Sequence, residues 1–467
     1  MINKIEQFRR QILNGRTQLA AVLVISLFGI EAAIAETKEL AAQPACSVKR
    51  EVYLPSPKPG VSPVVGFQYL GKGLRLREFR CQQGKSDLTE KGMVRFSDDN
   101  GKTWTPFVPP DTGSEPQRQE KNFKEDGSWA FKFDPASHRT IEIIFQRIFM
   151  GEPSEMLHKF WKGEKTFYDH MMYRLSADDG RTWTAQQPIV YEAGAAFDPN
   201  NWANPAYLHS NEMYGGYDVT LLRDGRIAYP ATVRIPHEDD DEDRKACANV
   251  PKYVASNGYV GGVSCFFGKW NKKKKDYDWT HSTPVFVPRR VSTRGLGEPA
   301  VAELKDGALL LDMRGANDGL DPMKYPGRTW ISISKDAGKT WSPVTDLRYD
   351  TGEQFYSPSA FSKMIRSRKT GKLYWIGNIS RQPPKGNRPR YPLYIAEVDE
   401  KIPALKKNTL TVIDDRSPED TEAVQFSNFS LIENRKTRNL EIYLSRYGEK
   451  PDNTFSANAY KYTLTLR

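Results

Sequence analysis

A chain of 467 residues, 38% hydrophobic and 12% aromatic, can build a large core, which excludes the small disulfide-stapled classes. The formal net charge of +10 would draw polyanions, but no basic helix or recognition motif accompanies it, so nucleic acid is set aside as a partner and acidic polysaccharide is preferred. Beyond one N-terminal run, no apolar stretch approaches the roughly 20 residues of a membrane span, which sets stable membrane insertion aside.

In chain order, Arg9, Arg10 and Arg16 precede an apolar run of about 12 residues from Leu19 to Ile30, and Ala33-Ile34-Ala35 offers cleavage positions. This pattern predicts a signal peptide over residues 1–35, Glu36 as the first mature residue, and a secreted or periplasmic protein with one domain over 36–467. Loss of the leader lowers the formal charge from +10 to +8. Cys46, Cys81, Cys247 and Cys265 would then meet an oxidising compartment, which predicts disulfides, with Cys46–Cys81 as one candidate pair.

Three stretches repeat one pattern: FSDDNGKTW at 96–104, LSADDGRTW at 175–183 and ISKDAGKTW at 333–341. Each sits between an alternating apolar segment and a short strand, so it reads as a tight turn. Asp98, Asp178 and Asp336 are expected to accept backbone N–H bonds, Gly101, Gly180 and Gly338 to supply positive φ, and Trp104, Trp183 and Trp341 to pack the turn against the next unit. Between the repeats, VTLLRDGRIAYPATVRI, VAELKDGALLLDMRG, MIRSRKTGKLYWIGNIS and NFSLIENRKTRNLEIYLSRYG each read as two strands and a hairpin. At about 45 to 65 residues per sheet unit, the chain predicts an all-β fold of six or seven four-stranded blades, with seven favoured.

The repeated stretch resembles the Asp-box of the sialidase-like β-propellers, where the motif is structural and joins the third and fourth strands of a blade. The resemblance implies that the boxes and the first-to-second-strand hairpins share one face, and that the active site lies on the other. On that division His138 and Arg223 fall on the wrong face. His158 and His170 in MLHKFWKGEKTFYDH pass, as do Tyr207, His209, Tyr214 and Tyr217 in NWANPAYLHSNEMYGGYDV, with Arg234 closing the same unit. Arg314, Arg381 and Arg446 close second strands of successive units and are expected to converge as a receptor for carboxylate or sulfate.

The segment GLGEPAVAELKDGALLLDMRG is similar to sialidases. Glu298 stands in the place of the glutamate that activates their tyrosine nucleophile, Arg314 in that of a carboxylate-binding arginine, and Arg381 in that of a second. The nucleophile itself is missing, because AVQFSNFSL places Phe426 or Phe429 there, and YLPSPKPG has no arginine where sialidases carry their first.

The departures suit a second resemblance, to the propeller-type ulvan lyases, which cut uronate-containing sulfated polysaccharide by β-elimination. That resemblance implies Arg234 and His170 as carboxylate neutralisers, Tyr217 as base and acid, His158 as an assistant and Tyr207 as the alternative tyrosine. Glu298, Arg314, Arg381 and Arg446 would bind substrate. The other classes are an exo-sialidase-like hydrolase and a non-catalytic propeller that binds acidic glycan. No organic cofactor is implied.

His237, Cys247, Cys265 and His281 lie within one unit and suit tetrahedral Zn²⁺ in a structural site. The alternative is a Cys247–Cys265 disulfide. Either would tie down the acidic run HEDDDED, which reads as a solvated loop or a Ca²⁺ ligand.

Overall fold

The strands assemble into six antiparallel sheets arranged as the blades of a propeller. The computed structural model describes residues 42–86, 88–90, 92–111, 117–254 and 258–467. The predicted leader lies outside the described residues. Pro44–Arg467 is one compact unit. Among the described residues no helix is long and apolar enough to cross a membrane.

Blade 1 is built from Ser62–Tyr69, Leu76–Lys85 and Met93–Ser97, with Val94 bridging to Val108 at its outer edge. Blade 2 runs Asn122–Asp134, Arg139–Phe149, Phe167–Ser176 and Gln187–Pro188. Blade 3 starts in two short pieces, Met213–Gly215 and Thr220–Leu221, and continues through Ile227–Pro236, Tyr259–Asn271 and Asp276–His281. Blade 4 comprises Gly297–Glu303, Leu309–Arg314, Thr329–Ser334 and Thr345–Asp346. Blade 5 holds Lys363–Arg366, Leu373–Asn378, Leu393–Asp399 and Thr411–Asp414.

Blade 6 takes Ser430–Glu433, Leu440–Ser445 and Ala459–Leu466 from the end of the described chain and its fourth strand, Cys46–Leu54, from the beginning. Cys46 pairs with Leu466, and the ladder continues through Lys49 with Thr463. This pairing closes the ring.

Among the described residues six blades are present, and the seventh that was favoured is not. Blades 2 and 3 each consume more than the expected span, because each contains a 13-residue strand and an inserted helical segment, Pro153–Phe160 in one and Asp241–Ala246 in the other. Strands at the blade centres are buried on both faces; all ten residues of Phe167–Ser176 are buried.

The three boxes join third to fourth strands, as the resemblance implied. Asp178 and Asp336 accept backbone N–H bonds from Thr182 and Thr340 at 2.8 and 2.9 Å. In the first repeat that role belongs to Asp99, which takes Lys102 N and Thr103 N at 2.9 Å, while Asp98 pairs with Arg75. The serine two residues before the box aspartate sets the register, so Ser97 selects Asp99. Gly180 and Gly338 adopt φ of 77° and 89° and lie against Leu70 and Phe267 of the preceding blades, where a Cβ would stand 2.7 and 2.0 Å from those side chains. Asn100 and Lys436 bond across to the 434–438 hairpin and the first box, which places boxes and first hairpins on one face.

Candidate active site in the central cavity

The inner strands enclose a cavity of about 1290 Å³ along the propeller axis. At the end away from the boxes, Tyr217, Glu298 and Arg314 meet. Tyr217 donates to Glu298 Oε1 at 3.3 Å, Glu298 Oε2 lies 2.8 Å from Arg314 Nη1, and the Tyr214 and Tyr217 hydroxyls are 3.3 Å apart.

Each member is placed by a local device. Glu298 sits in a β-bulge, since the register between Gly297–Glu303 and Leu309–Arg314 slips between Gly297 and Ala300, and it adopts φ 43°. A bulky residue held at positive φ in a bulge marks strain, which concentrates at functional sites. Arg314 is the register partner of Gly297, so the hairpin sets Glu298 and Arg314 side by side.

Tyr217 follows Gly215-Gly216, where a Cβ would stand 1.6 Å from the Tyr229 hydroxyl and 2.3 Å from the Pro299 carbonyl. Only glycine allows this approach of blade 3 to the Glu298 bulge. The Tyr217 ring then stacks on Trp129 of blade 2 at 4.9 Å and packs at a tilt on Phe361 of blade 5 at 4.6 Å. Burial, reinforced by the Glu298 carboxylate, pushes the phenol well above its usual range, against the pull of Arg314. The phenol is therefore neutral and aimed at a proton acceptor.

Further cations line the same cavity. Arg390 donates to the Ser359 carbonyl at 2.7 Å and Ser427 Oγ at 3.2 Å, and its buried Nε has no hydrogen-bond partner. Burial pushes its guanidinium down to about 10, with Glu298 opposing. Arg294 is held by both oxygens of Asp318 at 2.9 and 2.7 Å, and Arg147 by both oxygens of Asp169 at 2.7 Å. Lys363 lies 5.9 Å from the Tyr217 ring, and burial pushes its ammonium down to about 8. Arg390, Arg294, Trp129 and Phe361 were not singled out from sequence. Arg390 lies in RPRYPL, outside any strand, and carries no periodic signal.

No family model and no curated protein sequence matches the chain. Among solved structures, a protein of unknown function from Dyadobacter fermentans aligns with a TM-score of 0.55 at 15% identity, over 90% of this chain and 99% of that one. The NanB sialidase from Streptococcus pneumoniae aligns in one ligand complex with a TM-score of 0.52 at 12% identity, over 91% of this chain and 70% of that one. A point mutant of NanB gives 0.51 at the same identity, over 91% and 71%. The fold is that of the sialidase-type propellers.

Within this fold the expected site residues scatter. Tyr217, Glu298 and Arg314 line the cavity together. His170 does not reach it: along Phe167–Ser176 side chains alternate, and it is Asp169 that faces the cavity. His170 is stacked on Tyr207 at 4.5 Å with neither ring nitrogen hydrogen-bonded. The buried Tyr207 hydroxyl meets only Met172 Sδ at 3.7 Å. His158 is exposed on the Pro153–Phe160 helix. Arg234 is paired with Glu212 at 2.6 Å and covers the Tyr259 ring.

Arg381 lies beyond the end of Leu373–Asn378 and pairs with Asp415 at an exposed position. Arg446, one residue past Leu440–Ser445, is buried among Asp414, Asp420 and Glu449 at 3.0, 2.8 and 3.4 Å. The three arginines do not converge, because only Arg314 is still within its strand. Phe426 is fully buried, and Phe429 packs on Phe361 at 5.0 Å, so the phenol beside Glu298 comes from blade 3 and not from blade 6.

The four expected metal ligands do not gather into one site. Cys265 pairs with Pro230 in the ladder whose far end is Pro236, next to His237, a separation of roughly 20 Å along the strand. His281 is opposite Phe266, so it and Cys265 point to opposite faces. All four cysteines are buried and free, and neither Cys46–Cys81 nor Cys247–Cys265 is bonded; Cys46 and Cys81 belong to different blades.

Proposed function

We propose that the protein is an exported enzyme that cleaves a uronate-containing acidic polysaccharide by β-elimination in the central cavity, with Tyr217 as the proton-transferring group. The observation that carries this reading is the line Tyr214, Tyr217, Glu298, Arg314, with Glu298 held in a strained bulge beside a neutral phenol. The cavity exceeds the roughly 300–1,000 Å³ of ordinary small-molecule sites, which suits several sugar units.

Arg390 and Arg314 are the groups for the uronate carboxylate, whose neutralisation acidifies the C5 proton. As Tyr217 takes that proton, its own passes to Glu298. The phenol then protonates the departing O4 and recovers its proton from Glu298, leaving a C4–C5 double bond and a free hydroxyl. One phenol serves as base and acid. This economy suits the site, because Asp169, the nearby carboxylate on the wall, is occupied by both arms of Arg147.

Hydrolysis of a sialoside is the second reading, favoured by the same Tyr217–Glu298 contact, which would activate the phenol as a nucleophile. Absorbance near 232 nm during incubation with uronate polysaccharides, beside a fluorogenic sialoside, separates them. A rise reports the conjugated product of elimination; sialoside release without it would replace this proposal with the second; silence in both would favour a binding propeller.

A further inference from the structure

The acidic run that follows blade 3's second strand is not a loose loop. Asp240 caps the helix Asp241–Ala246 by accepting from Asp243 N at 2.7 Å, and this turn brings Asp243 back under His237. His237 Nε2 then lies 3.8 Å from Asp239 Oδ1 and 3.6 Å from Asp243 Oδ2. All three atoms are buried and none has a hydrogen-bond partner. The Asp243 side chain is 1% exposed.

The other carboxylate oxygens are committed. Asp239 Oδ2 accepts from Arg289 Nη1 at 2.5 Å, and Asp243 Oδ1 from Arg290 N and Nη1 at 2.9 and 2.8 Å. The arginines thus turn one oxygen of each aspartate toward the imidazole and hold it there. An imidazolium alone would draw one carboxylate to about 2.8 Å. Instead the imidazole nitrogen stands 3.6 and 3.8 Å from the two oxygens and all three unpartnered ligand atoms lie within 4.8 Å of one another, which approaches the spacing around a shared ion: donors at about 2.1 Å in a tetrahedron stand about 3.4 Å apart.

We propose that His237, Asp239 and Asp243 bind a Zn²⁺ ion. The imidazole disfavours Ca²⁺ and Mg²⁺, which take oxygen ligands, and three protein donors leave a tetrahedral ion one position for water. The site shares only His237 with the four residues expected from sequence. Its role is to clamp the start of the segment that carries Tyr253, which packs on Trp161 at 4.8 Å and meets Arg294 of the cavity wall at 3.4 Å. The inference does not depend on the reaction proposed above.

The full-length purified protein, stripped with chelator and dialysed against ZnCl₂, is expected to retain about one zinc per chain, with a higher Tm than the stripped form. Asp243→Asn, which keeps the oxygen facing Arg290, and His237→Gln should each weaken zinc binding by at least about 10-fold. Co²⁺ in place of zinc should give tetrahedral visible bands without a thiolate charge-transfer band. A strong thiolate band would move the metal to Cys247 or Cys265 and overturn the assignment, as would wild-type protein that retains no zinc and shows no zinc-dependent Tm.

Discussion

Acidification offers a sharp test of where His170 sits. Its side chain is 1% exposed within an all-buried strand, and burial pushes its imidazolium down to about 4 from an ordinary value near 6.5, with Asp169 pulling the other way and losing. The unfolded chain therefore takes up a proton as pH falls through about 6.5, whereas the folded chain does not until about 4. The stability contributed by the neutral ring is complete above the unfolded value and is lost as pH falls toward the folded one. At about 1.4 kcal/mol per pKa unit, the loss between pH 7.5 and 4 is about 3 kcal/mol.

His170→Phe keeps a ring against Tyr207 and removes the titration. Urea unfolding of both proteins across that pH range should give stability curves that diverge by about 3 kcal/mol at the acid end, the wild type falling faster. Other titrating groups cancel in the difference. Parallel curves would refute the buried, unpartnered placement and restore His170 as a solvent-accessible group fit for catalysis.

Tyr217→Phe retains the stack between Trp129 and Phe361 and gives up only two contacts of 3.3 Å, so stability should change by less than about 1 kcal/mol while turnover falls about 10²- to 10⁴-fold. Full turnover by a folded variant would remove the phenol from the chemistry. Arg446→Met should cost about 3–5 kcal/mol in thermal or denaturant unfolding, because it removes the buried cation shared by Asp414, Asp420 and Glu449, of which, among the described residues, only Asp414 keeps a second cation, Arg50; a loss below about 1 kcal/mol would contradict the cluster. The native protein should resist thiol reagent and titrate four thiols once denatured, since all four cysteines are buried and burial pushes the Cys46 and Cys81 thiols up to about 12. A mass 2 Da lower per disulfide in the non-reduced protein would overturn this.

The features legible in the sequence are those whose physics is complete within a short stretch. A box closes its own hydrogen bonds between Ser176 and Thr182, so it could be read directly; Glu298 and Arg314 were legible only through the resemblance to sialidases, and their meeting across one hairpin came from the structure. Even in a box a one-residue choice, Asp98 against Asp99, turned on the position of Ser97. Strand-end arginines looked equivalent in sequence, yet one step past the last ladder pair sends Arg446 into a carboxylate cage and three steps carry Arg381 to the surface.

The sequence by itself determined that the chain forms four-stranded propeller blades and left their number at six or seven, because turn chemistry and strand alternation act between near neighbours. Only the tertiary structure decided that Tyr217 meets Glu298 from another blade, that Arg390 joins them, and that His170 turns away from the cavity. Those outcomes depend on how blades pack around a common axis, and packing energy is shared among residues far apart in the chain, where no local pattern records which of them will touch.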